Sequence, residues 1–316
     1  MAVVSGQVKD ANINGKPRDL SKLIFDVSPT DTPFLTMCGR TTASQTLHEW
    51  QTDALTAPGS NAQKEGIDVT TFAGSNTTEL SNKTQILMKA VSVSGTAQAV
   101  VQNGVTKQYT HQMALRMKEI KKDLEFALLS NQLAAGESTS GRLMTGLPCW
   151  LTTNFAGGAS GTAATSSTAC TAGTARVPTE AMLKVLLTSI YNAGGNPNTV
   201  MMAPDIRVKM SEVLTGGSTK MEKAEMKKAT AVIDVYVSDF GSLKLVPNRV
   251  QAYVTYSKAC AFVLDPEYWK VAYLRPFQEQ RLAVTGDSEK GFIVAEATLE
   301  ARNEASSGVL ADLKAA

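Results

Sequence analysis

Residues 107–132, KQYTHQMALRMKEIKKDLEFALLSNQ, carry the strongest structural signal in this sequence. Apolar side chains recur there at spacings of four and three residues, the period of one buried helix face: Met113, Met117, Ile120, Leu124 and Leu128. The opposite side should lie in solvent and carries charges of both signs: Arg116, Glu119, Lys122 and Glu125. The stretch predicts a single helix of about 39 Å, long enough to be a backbone element of the fold.

A second decisive pattern lies near the C-terminus, where residues 292–302 alternate strictly. One face of the predicted strand is apolar: Ile293, Ala295, Ala297, Leu299 and Ala301. The other face carries Glu296, Thr298, Glu300 and Arg302. A period of two with one polar face is typical of an antiparallel sheet that is wet on one side. A long helix beside such a sheet indicates the α+β class.

Residues 46–52 and 84–94 also have the pattern of strands, and a long polar run, 54–83, separates them. A connection of that length in a compact domain is usually functional or disordered. An isolated two-stranded ribbon is barely stable in water. We therefore interpret this region as an extended excursion that rests on another surface.

The middle of the chain divides at residues 154–177, which are almost entirely Ala, Gly, Ser and Thr. Such low complexity predicts a surface loop or linker and a domain boundary. Beyond it, residues 178–192 predict a helix that ends before Gly194, and short apolar runs near 200–202, 232–238 and 242–247 predict strands. Residues 178–250 thus form a mixed α/β unit.

Composition excludes several classes of protein. The 316 residues carry a formal net charge of +2, which is too balanced for tight nucleic-acid binding by phosphate neutralisation. No apolar run approaches the roughly 18 residues that span a bilayer, and no secretory signal precedes residue 10. We expect a soluble chain made in a cytosol, with no membrane contact.

Catalytic and metal motifs are not found in the sequence. The four cysteines (Cys38, Cys149, Cys170 and Cys260) have no metal-ligand spacing, so free buried thiols are expected. With two histidines in the chain, a Cys38–His48 dyad and the Glu296/Glu300 pair are the candidates for a hydrolase. His48 falls on a strand face and the glutamates fall on the face expected to be wet, so we identify no catalytic, cofactor-binding or metal-binding constellation.

Several short motifs occur in an order that identifies a family. They are residues 28–35 (SPTDTPFL), 48–53 (HEWQTD), 93–96 (VSGT), 122–125 (KDLE), 146–150 (GLPCW), 237–241 (VSDFG), 262–269 (FVLDPEYW) and 286–292 (GDSEKGF). Together they resemble the major capsid proteins of tailed bacteriophages, a branch met especially in short-tailed phages. The resemblance covers nearly the whole chain.

The resemblance implies an N-terminal arm (1–45), an extended loop (46–93), a peripheral domain (94–177 and 251–316) with the spine helix 107–132 and an antiparallel sheet, and a mixed α/β axial domain (178–250). It implies a structural subunit of an icosahedral viral capsid, without enzymatic activity or cofactor. The subunit would assemble with itself into hexamers and pentamers around packaged double-stranded DNA, in the bacterial host cytoplasm. Because the sequence starts directly with the arm, we expect a separate scaffolding protein, besides a portal and a decoration protein.

Within the extended loop, a few apolar residues and one charged pair are candidate contacts between subunits: Ile67, Val69, Phe72, Leu80, Lys64 and Glu65. Their exposure on an isolated ribbon has a reason if a neighbouring chain covers them. Two alternatives remain open: the shell protein of a bacterial compartment that encloses an enzyme, which shares this fold, and the hydrolase named above.

Overall fold

The computed structural model describes residues 28–68, 72, 74, 76–100, 105, 107–137, 141–216 and 234–315, with the side chains of 215 and 216 left aside. Residues 1–27 of the predicted arm and Val69 of the candidate contacts lie outside the described residues. The helices are α1 (Pro33–Met37), α2 (Gly95–Ala99), α3 (Gln108–Leu129), α4 (Leu147–Trp150), α5 (Glu180–Asn192) and α6 (Pro204–Gly216). The strands are β1 (Gly39–Thr42), β2 (Leu47–Thr52), β3 (Thr78–Lys83), β4 (Gln85–Ser94), β5 (Phe155–Ala156), β6 (Thr199–Met202), β7 (Val235–Ser238), β8 (Gly241–Pro247), β9 (Ala261–Leu264), β10 (Trp269–Arg281), β11 (Ser288–Ala301) and β12 (Gly308–Leu310).

The predicted spine helix is confirmed as α3, which is about 33 Å long at 1.5 Å per residue. Its apolar stripe is buried at Met113, Ile120, Leu124 and Leu128. The helix ends at Leu129 because Ser130 adopts an extended backbone. One expectation was wrong: Glu125, assigned to the wet face, is completely buried.

A four-stranded sheet in the order β1-β10-β11-β4 lies against the spine helix. The long strands β10 and β11 are antiparallel, as expected, and β4 joins the other side of β11. Val91 and Val93 of β4, Ile293 of β11 and Ile120 of α3 share one apolar cluster. The helix-facing side of this sheet is therefore the alternating apolar face found in the sequence.

The expectation that the opposite face of β11 is wet is wrong. Glu296, Thr298 and Glu300 are all buried. The ribbon β2–β3 lies over this face, and arginine side chains reach it from the rim. The alternation correctly predicts a strand, but a strand with polar residues on one face can still have both faces covered.

The ribbon itself is shorter than predicted. Strand β2 pairs with β3 in antiparallel register, from Leu47 opposite Lys83 to Thr52 opposite Thr78. Residues 84–94, predicted as the returning strand of the ribbon, instead form β4 and pair with β11. That prediction was wrong because the apolar side of β4 packs on the spine helix, which the polar strand β3 cannot do.

The second large sheet has six strands in the order β5-β12-β9-β6-β8-β7. Helices α5 and α6 bury Leu183, Leu187 and Met210 against it. Helix α5 ends as predicted, with Gly194 at a φ of +84° that a glycine adopts without strain. This sheet takes strands from both predicted domains, since β5, β9 and β12 come from 94–177 and 251–316. The domain boundaries themselves stay a prediction.

The low-complexity segment is folded back on the body by Asp312. The Asp312 carboxylate accepts backbone N–H groups from Gly158 and Gly173, both at 2.8 Å. Its own carbonyl accepts the N–H of Arg176 at 2.7 Å. The prediction of a surface loop for 154–177 is therefore only partly correct, because the segment begins with β5 and is tied at both ends to the C-terminal residues. Among the described residues, no helix has the length and apolar character to cross a membrane.

Candidate assembly surface

The end of the ribbon presents apolar side chains to solvent. Residues 53–68 are all exposed. Leu55 is 100% exposed, Phe72 85% and Ile67 55%. A turn closed by the Ile67 N–H on the Lys64 carbonyl, with Gly66 at a φ of +74°, groups Lys64, Glu65 and Ile67. Large apolar side chains that are this exposed are typical of a surface that binds a partner protein.

Leu80 lies apart from the other candidate contacts. It stands opposite Trp50 in the ribbon and is half-buried. Directly paired residues in an antiparallel ribbon point to the same side, and the Trp50 side is the one turned toward the body of the chain. The structure therefore brings Lys64, Glu65 and Ile67 together at one turn, but not Leu80.

The base of the ribbon is fixed by Asn82, which is fully buried. Its amide nitrogen donates to the Leu299 carbonyl at 2.8 Å and to the Thr145 carbonyl at 3.3 Å. Its amide oxygen accepts the N–H groups of Thr145 at 2.8 Å and Lys83 at 2.9 Å. All four hydrogen-bonding positions of this amide are used, which joins the ribbon to β11 and to the segment before α4.

Trp50 provides the apolar part of the same attachment. Its indole N–H donates to the Ala301 carbonyl at 2.9 Å. Its ring lies 5.5 Å from that of Trp150, centroid to centroid. A tilted aromatic pair at this separation adds attraction beyond the area it buries. The ribbon therefore has a firmly held base and an exposed end.

Two buried glutamates of β11 carry the charge beneath the ribbon. Glu296 accepts hydrogen bonds from Arg142 (2.6 Å), Arg275 (2.9 Å) and Thr84 (2.7 Å). Glu300 is hydrogen-bonded to His48 at 3.0 Å and to Arg302 at 2.7 Å. Burial alone would raise the pKa of Glu300, but the bonds from Arg302 and His48 outweigh it and hold that pKa below its ordinary value.

A third buried carboxylate, Glu125, holds the start of α1. Its two oxygens accept the backbone N–H groups of Phe34 at 2.9 Å and Leu35 at 2.7 Å. The Asn248 amide adds a third bond at 2.7 Å. Thr32, the N-cap of α1, makes no side-chain cap of its own, so Glu125 satisfies these helix-terminal donors from 90 residues away. Burial raises the pKa of Glu125 against the lowering effect of these bonds.

The residues considered for a hydrolase all have structural roles. Cys38 is buried in the main core, and burial, followed by the charge of Glu125, raises the pKa of its thiol well above its usual range. His48 is bonded to Glu300, and both glutamates are held in ion pairs. Among the side chains that the structure describes, no three of the metal-binding types converge. At Cys38, His48 and the two glutamates the geometry supplies packing and attachment, and none of these side chains is an activated nucleophile.

A sequence model of the SU10 major capsid protein family matches residues 4–314, nearly the full length of the chain. The chain belongs to the SU10 major capsid protein family. It is also 31% identical over 337 residues to the major capsid protein of Escherichia phage Phieco32, covering 94% of each chain. The resemblance seen in the sequence is therefore confirmed. This member of the family is a structural protein of a phage capsid, not an enzyme.

Solved structures show the same fold at low identity. The capsid asymmetric unit of cyanophage A-1(L) aligns with a TM-score of 0.64 and 12% identity, over 96% of this chain and 98% of that one. The holo-SrpI encapsulin complex of Synechococcus elongatus PCC 7942 aligns with a TM-score of 0.57 and 12% identity, over 95% and 93%. The tailed-phage capsid fold is confirmed by these likenesses.

The compartment-shell alternative shares the fold, as the encapsulin likeness shows. The match at the level of sequence is to phage capsid proteins, so the family member described here is a subunit of the virion shell. As a capsid protein it associates with copies of itself.

Proposed function

We propose that the chain builds an icosahedral shell from hexamers and pentamers, which encloses packaged double-stranded DNA without binding its sequence. Assembly takes place in the host cytoplasm, on a separate scaffolding protein and around a portal, and a decoration protein is a further partner. The ribbon end, with Lys64, Glu65, Ile67 and Phe72, is the element that contacts the neighbouring subunit. The domain division into arm, loop, peripheral and axial parts follows the same proposal.

The observation that carries this proposal is the contrast between the two ends of the ribbon. Asn82 and Trp50 hold its base with bonds to the Leu299 and Ala301 carbonyls of β11. Leu55 and Phe72 lie exposed beyond β2 and before β3. A ribbon that served folding alone would need the base and not the exposed apolar end.

The energy available at this surface suits a shell that corrects its own errors. Full burial of a Leu, Ile or Phe side chain yields about 1.5–3 kcal/mol, so the exposed parts of Leu55, Ile67 and Phe72 offer about 4–7 kcal/mol per ribbon. Ordering the loop and associating the subunits offset most of that gain. Each contact is then weak and reversible, while many identical contacts close the shell.

The experiment is a ribbon shortened at the point that the register allows. An Asn-Gly turn placed between Thr52 and Thr78, in place of residues 53–77, keeps β2, β3 and the bonds of Asn82. We expect a folded subunit with a near-normal thermal transition and no particles. Sizing chromatography and negative-stain microscopy, with the scaffolding protein supplied, measure both properties.

Point variants separate apolar contact from mere loop length. Leu55→Ser combined with Phe72→Ser should reduce particle yield at least tenfold. The matched control, Asn61→Ser with Gln63→Ser, changes two exposed polar residues of the same loop and should assemble normally. If the subunit with the shortened ribbon forms closed shells in normal yield, the proposed role of the ribbon end in assembly is wrong. If that subunit is unfolded, the loop belongs to the core instead.

A further inference from the structure

Two of the four cysteines meet in a small apolar cluster outside the assembly surface. Cys149, in α4, and Cys170, in the low-complexity loop, are both buried there and both free. Asn131, just after the spine helix, links them. Its side-chain oxygen accepts the Cys149 thiol at 3.2 Å and the Cys170 backbone N–H at 3.0 Å. Its amide nitrogen donates to the Cys170 carbonyl at 2.8 Å.

The Cys170 side chain reaches the peptide group next to Cys149. The Cys170 thiol donates to the Pro148 carbonyl oxygen at 3.3 Å. That oxygen belongs to the peptide group bonded to Cys149, so the Cys170 sulfur lies within about 6 Å of the Cys149 Cα. Both side chains also pack in the same small apolar cluster. A disulfide needs Cα atoms about 4.4–6.8 Å apart, and the shared cluster gives the two side chains the proximity that such a bond requires.

The two thiols differ in reactivity in the way that thiol–disulfide exchange requires. The neighbouring Cys149 thiol lowers the pKa of Cys170 below its ordinary value, while the Cys170 side chain and burial raise the pKa of Cys149. Cys170 also lines a surface groove of about 570 Å³, together with Asn131, Thr171 and Tyr256. The thiol that ionises more readily is thus the one that lines this groove, through which a small disulfide can approach it.

We propose that Cys149 and Cys170 are a redox-active pair, reduced when the chain is made and closed into an intrachain disulfide by a small-molecule disulfide such as oxidised glutathione. The Cys170 thiolate attacks one sulfur of oxidised glutathione, forms a mixed disulfide and releases one glutathione thiolate. The Cys149 thiol then loses its proton and attacks the Cys170 sulfur, releasing the second glutathione. Two protein thiols are oxidised and one disulfide is reduced to two thiols.

The bond would join the loop to α4 and so to the main core. It closes a ring of residues 149–170, which includes Gly158, one of the residues that Asp312 ties down. Because a reducing cytosol keeps such pairs open and an oxidising exterior closes them, the closed form belongs to protein outside the cell. The inference does not depend on how the ribbon makes its contacts.

The test uses the full-length protein, purified under reduction and incubated with oxidised glutathione. Free thiols are then counted after unfolding, and a non-reduced peptide map locates any bond. We expect the count to fall from four to two, one crosslinked peptide pair containing Cys149 and Cys170, and a higher melting temperature that dithiothreitol reverses.

Variants identify the order of attack. Cys149→Ser should leave a stable glutathione adduct on Cys170, and Cys170→Ser should leave Cys149 unmodified. Cys38→Ser and Cys260→Ser are matched controls, because both thiols are buried with raised pKa values, and each should still form the Cys149–Cys170 bond. Four free thiols after treatment of the wild type, or a bond that joins any other cysteines, would overturn the proposal. This wild-type result stands even if one of the variants fails to fold.

Discussion

Replacement of Glu125 by alanine should destabilise the subunit more than any other change of a single charge in the spine helix. The carboxylate is fully buried and accepts hydrogen bonds from Phe34, Leu35 and Asn248. Removing it leaves three donors in the core without acceptors. The first turn of α1 then loses its cap.

The size of the effect follows from those three donors. Each buried donor without a partner costs about 1–3 kcal/mol, and the penalty of burying the carboxylate, which is recovered, offsets part of the sum. We expect a loss of about 3–5 kcal/mol for Glu125→Ala. Glu125→Gln keeps the shape but turns an amide N–H₂ toward an N–H donor, which should cost about 2 kcal/mol. At about 2.1 cal/mol/K per residue, a loss of 4 kcal/mol lowers the melting temperature by about 6 °C.

Urea unfolding of the unassembled subunit measures the loss, and hydrogen exchange at the Phe34 and Leu35 amides reports the cap directly. The control is Glu119→Ala on the same helix, where the carboxylate is partly exposed and pairs with Arg116 at 2.6 Å. That change should cost under about 1 kcal/mol. If Glu125→Ala unfolds within 1 kcal/mol of wild type and leaves exchange at both amides unchanged, the assignment of Glu125 as the cap of α1 is refuted.

Three further outcomes are expected. The folded-state pKa of Glu300 is lowered, so its contribution to stability is present above the ordinary value of 4.5 and is lost as pH falls through the folded value. The difference in unfolding free energy between wild type and Glu300→Gln should therefore shrink below pH 4.5 and stay constant above it. Urea unfolding at a series of acid pH values measures this difference. Leu124→Asp puts a charge into the fully buried stripe and should lower the free energy of unfolding by about 3–5 kcal/mol and yield insoluble protein. The control Lys122→Glu should stay soluble. A soluble Leu124→Asp subunit would contradict the helix register. Trp50→Ala removes the contact with Trp150 and the bond to Ala301, so amide exchange across β2 should accelerate while α3 keeps its protection, and equal acceleration in both would show that the ribbon is part of the core.

Much of the fold can be predicted from the sequence where a pattern is local and strong. The spine helix is found within a few residues because Ile120, Leu124 and Leu128 repeat over several turns. The strand character of 292–301 is equally plain from its alternation. The stop of α5 at Gly194 follows from backbone chemistry alone. In each case the deciding interactions lie within a few residues of one another.

The sequence fails where a distant segment decides the environment. Glu125 has the spacing of a solvated residue, yet α1 and Asn248 enclose it. Glu296 and Glu300 have the alternation of a wet face, yet the ribbon covers them, and Arg142 and Arg302 neutralise them. A buried carboxylate and a solvated one look alike in sequence, because most of the partners that compensate burial lie about 90 to 250 residues away.

The sequence by itself determined the family, the α+β class, the spine helix and the presence of an extended loop with few apolar residues. These rest on periodicity, composition and short motifs, which need no knowledge of contacts. The tertiary structure alone decided which strand pairs with β2, which face of the sheet the ribbon covers, and that Cys149 meets Cys170 beside Asn131. A strand or a side chain has many distant partners with which its local sequence would allow it to pair. The pairing that forms is the one in the arrangement that buries the apolar faces and satisfies every buried polar group at once.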